Sequence, residues 1–69
     1  MKKIKIKVNG KYVNIDKNRY LSNLLTKLKI PIKKVAIELN KEIIDKKNIN
    51  KIKIQNNDKI EIVHFIGGG

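Results

Sequence analysis

The chain has 69 residues, a formal net charge of +11 and no cysteine. That length holds one small domain, which buries only about 60% of the surface its unfolded chain exposes. Without cysteine there is no disulfide scaffold, no thiolate metal site and no cysteine nucleophile. No apolar run exceeds Val35-Ala36-Ile37, which excludes a transmembrane helix and a secretory signal core and fits a cytoplasmic location. Hydrophobic residues make up 41%, and the core they supply is aliphatic, since Tyr12, Tyr20 and Phe65 are the only aromatics.

The elements follow in chain order. Lys3 to Val8 alternate strictly, with Ile4, Ile6 and Val8 on one face of a strand. Asn9-Gly10 is the signal of a two-residue type I′ hairpin turn, and Lys11 to Ile15 return as a second strand with Val13 and Ile15 inward. Leu21, Leu24, Leu25 and Leu28 form one helical stripe; Asn18 is the candidate cap, and Pro31 forces Ile30 out of the helical region and ends the helix. Val35 to Leu39 alternate as a third strand, Asn40-Lys41 turns, and a short strand follows at Glu42 to Ile44. Asp45 to Asn50 reads as a polar loop or a single helical turn, Ile52 and Ile54 return to the core, and Gln55 to Asp58 is a turn. Lys59 to Ile66 forms the last strand, before Gly67-Gly68-Gly69. The order β-β-α-β-β-β, with a lone helix on a sheet of four or five strands, indicates an α+β roll. The last strand then lies parallel to the first in the middle of the sheet. The domain is expected over residues 1–66, with 67–69 as a flexible tail.

Little catalytic chemistry is available. His64, Ser22 and Thr26 are single residues of their kinds, so a Ser-His-acid triad has no second set of parts, and one imidazole makes no metal site. The reading is of a protein that is not an enzyme on its own and holds no metal or cofactor. The charge invites a polyanion reading, but the basic residues are 16 Lys and a single Arg19, spread along residues 2 to 59. Lys, Ile and Asn number 16, 14 and 9, all encoded by A/T-rich codons, so compositional drift accounts for the lysines without a nucleic-acid partner. A small basic domain that binds RNA or another polyanion stands as the alternative from a different class.

The glycines carry more. They follow a hydrophobic strand directly, which presents a thin strip of chain and a carboxylate. The run Asn57-Asp58-Lys59-Ile60-Glu61-Ile62-Val63-His64-Phe65-Ile66-Gly67-Gly68-Gly69 resembles the C-terminus of the thiamine-biosynthesis sulfur carrier family, ThiS. Val35 to Ile44 also resembles that family, as do the first strand, its Asn-Gly turn and Leu24-Leu25 on the helix. The closing diglycine alone is shared with molybdopterin-synthase small subunits and other ubiquitin-like proteins, so the Ile60-Glu61-Ile62-Val63-His64-Phe65 run is the more specific part. The departures are the excess of Lys and the weak helix cap.

The resemblance implies a β-grasp fold and a carrier whose Gly69 carboxylate is adenylated with ATP by an E1-like adenylyltransferase of the ThiF type. A sulfur donor such as a cysteine desulfurase relay then converts it to a thiocarboxylate. Thiazole synthase of the ThiG type is the implied acceptor, with molybdopterin or tRNA thiolation as the alternatives within the class. Gly67 and Gly68 give access, since three extended glycines reach roughly 10 Å. Alternation in the last strand puts Glu61, Val63 and Phe65 on the face opposite the helix with Lys3, Lys5 and Lys7. That face, with Ile66, is the expected docking surface for the partners. The competing expectation is that Phe65 folds over the sheet edge and completes the core.

Overall fold

The computed structural model describes residues 2–65. The elements are β1 (Lys3–Val8), β2 (Lys11–Asp16), α1 (Leu21–Lys27), β3 (Val35–Leu39), β4 (Glu42–Ile43) and β5 (Lys59–His64), with 3₁₀ turns at Ile32–Lys34 and Lys46–Asn48. They form one five-stranded sheet in the order β2-β1-β5-β3-β4. β1 and β5 are parallel at its centre, and every other pairing is antiparallel.

Local chemistry explains the hairpins. Asn9 and Gly10 have φ of 49° and 82°, the pair of positive values that a type I′ turn requires. Asn40 and Lys41, at 52° and 73°, repeat the device between β3 and β4. These turns fix the register, and the register sorts the side chains. Ile6, Ile15, Val35, Ile37, Ile60 and Ile62 meet Leu21, Leu24 and Leu25 of α1 in one buried cluster. Ile4, Val8, Val13 and Ile52 pack against its margin. Seven residues of isolated helix would be marginal in water, so α1 owes its stability to those three leucines. Burying each contributes roughly 1.5–3 kcal/mol.

The helix ends differ from the expected ones. Its N-cap is Tyr20 rather than Asn18, and the Tyr20 N–H donates to Asn23 Oδ1 at 2.8 Å, the reciprocal half of a capping box. Asn18 has a φ of 69° and serves the turn that precedes it. At the other end Lys29 has a φ of 57°, and the Lys29 and Ile30 N–H groups donate to Thr26 O and Leu25 O. This Schellman motif ends α1 before Pro31 can act, and leaves Leu28 38% exposed instead of in the core. In the segment read as a polar loop, Ile49 is buried, and its carbonyl accepts from the Ser22 N–H at the start of α1. The short fourth strand ends at Ile43, although the Ile44 N–H still donates to Ile37 O. β5 ends at His64 rather than running to Ile66, which lies outside the described residues.

Candidate functional site

β5 carries the candidate site residues Glu61 and Val63, and three side chains hold this strand. Its ladder with β1 spans only Lys7↔Lys59 and Val8↔Ile60. Asn9 extends that short pairing: its Oδ1 accepts from the Ile62 N–H at 2.7 Å and its Nδ2 donates to Ile62 O at 3.2 Å. A side-chain amide thus does for Ile62 what a further strand residue would do. At the start of β5, Asn40 Oδ1 accepts from the Lys59 N–H at 2.9 Å, and Asn40 Nδ2 donates to Asp58 Oδ1 at 3.0 Å. Asp58 Oδ2 also accepts from the Gln55 N–H at 2.7 Å, so this buried carboxylate closes the turn before the strand.

The register with β3 pairs Glu38↔Glu61 and Ala36↔Val63, and β4 adds Glu38↔Ile43. Since Ile37, Ile60 and Ile62 are buried, Ala36, Glu38, Glu61 and Val63 lie on the opposite face. Val63 is 56% exposed, Phe65 47% and Ile43 79%. Phe65 is therefore not folded into the core. Its N–H donates to Lys34 O at 2.8 Å, which holds the end of β5 against the start of β3. The Lys46 ammonium stands 5.1 Å from the Phe65 ring centroid while donating to Ile32 O and Val35 O at 3.1 and 2.8 Å. One cation thereby satisfies two carbonyls and faces the aromatic.

Across β5 from this apolar strip the same face is basic. Lys3, Lys5 and Lys7 alternate out of β1 opposite Asp16, Asn14 and Tyr12. The Lys5 and Lys7 ammoniums lie 5.3 and 5.2 Å from the Tyr12 ring. Lys3 Nζ, at 2.7 Å, and then Arg19 Nη2, at 3.3 Å, donate to the Asp16 carboxylate and hold its pKa below the ordinary 3.8.

Of the sequence-derived site residues, Glu61, Val63 and Phe65 lie together on the exposed face of β5 and just beyond it. Ile66, Gly67, Gly68 and Gly69 lie outside the described residues. Sequence reasoning missed Ile43, although the Asn40-Lys41 turn forces one of two adjacent isoleucines outward. It also missed Lys46, for which no local pattern gives a signal.

A five-stranded mixed sheet with parallel central strands and one helix on one face defines a β-grasp protein. The sequence model of the ThiS family matches residues 6–69, a span that includes β5 and the glycines beyond it. The chain belongs to the ThiS family. It is 40% identical over 65 residues to the sulfur carrier protein ThiS of Bacillus subtilis, covering 93% of this chain and 98% of that one. It is also 39% identical over 66 residues to a thiazole synthase of Magnetococcus marinus, covering 96% of this chain but only 20% of that protein. The crystal structure of the thiamine biosynthesis protein ThiS from Geobacter metallireducens superposes with a TM-score of 0.83 at 29% identity, covering 96% and 100% of the two chains.

Proposed function

We propose that this ThiS-family chain, a sulfur carrier of thiamine biosynthesis, carries its sulfur on the carboxyl group of Gly69. The observation that carries the reading is the family match, which extends through residue 69 and so takes in the glycines. A terminal carboxylate, with a pKa of about 3.5, is ionised at neutral pH and is the nucleophile. In the active site of an E1-like adenylyltransferase, one of its oxygens attacks the α-phosphorus of ATP, and pyrophosphate leaves. The acyl-adenylate is then an activated carbonyl. Sulfide displaces AMP from it to give the thiocarboxylate. A persulfide donor such as a cysteine desulfurase relay does so through an acyl disulfide, which a second thiol reduces. The chain itself supplies no acid, base or metal to these steps. It presents the carboxylate, and glycine at positions 67, 68 and 69 lets that strip enter a narrow cleft and approach the nucleotide.

Thiazole synthase is the proposed acceptor. The relationship to thiazole synthases that contain a domain like this chain supports it, because fusion places carrier and acceptor in one molecule. Glu61, Val63, Phe65 and Ile66 form the proposed docking strip for the partners, and the exposed apolar side chains among the first three support that role. The test is ATP-dependent pyrophosphate release with the adenylyltransferase of the same organism. Removing Gly69, or replacing Gly68 by Trp, is expected to abolish release while leaving the thermal unfolding transition in place. Undiminished release from the shortened chain would overturn the assignment.

A further inference from the structure

The opposite edge of the sheet offers a second surface, two strands away from β5. Strand β2 has β1 on one side only. The hairpin register, and the 2.9 Å bond from the Lys17 N–H to Lys2 O, turn the peptide groups of Lys11, Val13 and Ile15 toward β1. Those of Tyr12, Asn14 and Asp16 therefore point outward, and among the described residues none of them enters a backbone hydrogen bond beyond the hairpin. Beside this edge, on the helix side, an open groove of about 440 Å³ runs between β2 and α1. The buried Ile15 and Leu24 floor it, Asn23 and Thr26 form its polar wall, and Arg19 and Lys27 supply its charge. Its one carboxylate, Asp16, is already engaged by Lys3 and Arg19. Lys11 opens the strand and Lys17 follows it, so both ends of the edge carry positive charge.

We propose that the β2 edge and the β2–α1 groove bind an extended acidic segment of a partner protein, which pairs with Tyr12, Asn14 and Asp16 as a sixth strand. Main-chain pairing would supply the register, and every second side chain of the added strand would sit in the groove, over its floor of Ile15 and Leu24 and beside Asn23, Thr26 and Lys27. Charge selects the occupant. A second copy of this chain would bring +11 against +11, whereas an acidic segment is attracted by the same lysines that keep copies apart. The surface is separate from the sulfur chemistry, so its test and that of the carrier role fail independently.

The probe is a short synthetic peptide in which valine alternates with glutamate, titrated into the full-length isotope-labelled protein and followed by amide resonances and hydrogen exchange. The expected result is perturbation confined to Lys11–Lys17 and Asn23–Lys27, with slowed exchange at Tyr12, Asn14 and Asp16. The same peptide, N-methylated at the amides of its pairing edge, keeps every charge and is expected to bind at least about tenfold more weakly, as loss of one or two hydrogen bonds implies. Equal binding of the methylated peptide would overturn the proposal, because attraction would then be charge alone. So would perturbation centred on Lys5, Lys7 and Lys59, no perturbation up to the peptide's solubility, or equal effects at β2 from a single-stranded oligonucleotide.

Discussion

Asn9 does two things that one residue type satisfies best. Its backbone takes the first positive φ of a type I′ turn, and its side chain completes the pairing of β5 at Ile62. Replacing it by alanine removes both, leaves the Ile62 N–H and C=O without that partner, and is expected to destabilise the fold by about 2 kcal/mol. Asn9→Asp keeps the acceptor and loses the donor, so its loss in denaturant titration is expected to be smaller. The turn was legible in the sequence, because Asn-Gly between alternating runs has a local signature. The clamp was not, because it joins residues 53 positions apart. Asp16 gives a pH prediction. Its pKa is lowered by hydrogen bonds from Lys3 and then Arg19, so folding binds fewer protons there than the unfolded chain does. The stability it contributes is fully present above 3.8, its ordinary value, and is lost as pH falls through the lowered folded value. Stability measured against pH for Asp16→Asn is expected to lack that acid-side decline and to converge with the parent at the lowest pH.

At the scale of elements, the strands were readable from alternation, and the helix was readable from its leucine stripe. The helix ends were not. Tyr20 is a poor cap by composition, and its backbone is served by Asn23 from within the helix. Lys29 adopts a conformation in which glycine is the usual residue, so nothing in its identity marks a Schellman end. Ile49 looked like part of a polar loop because its neighbours are polar, and only the packing of that segment against α1 shows it to be core. Alternation left two places open for Phe65, just beyond β5, and its exposure decides between them, with Lys46 rather than the core beside the ring. Phe65→Ala is therefore expected to change the melting temperature little and to weaken adenylation at limiting adenylyltransferase by about tenfold, the scale of one aromatic anchor. A large drop in melting temperature with unchanged adenylation would remove Phe65 from the docking strip.

For the whole molecule, the roll and the parallel central pair of first and last strands followed from the element order, whereas the full order β2-β1-β5-β3-β4 came only with the structure. The distribution of charge did not follow, since it depends on which lysines share a face. Both ion pairs among the described residues fall on Asp16, which leaves a strong excess of positive charge on a small surface. Self-repulsion of this kind is screened by salt, so the melting temperature is expected to rise as ionic strength increases from a low value. The central claim concerns Gly69, and one measurement addresses it directly: the intact mass of the full chain after incubation with ATP, its own organism's adenylyltransferase and a sulfide source. A gain equal to the difference between sulfur and oxygen, absent when Gly69 is deleted and localised by fragmentation to the last residue, is the predicted result. An unchanged mass alongside active enzyme, or the same gain in the chain lacking Gly69, would contradict it.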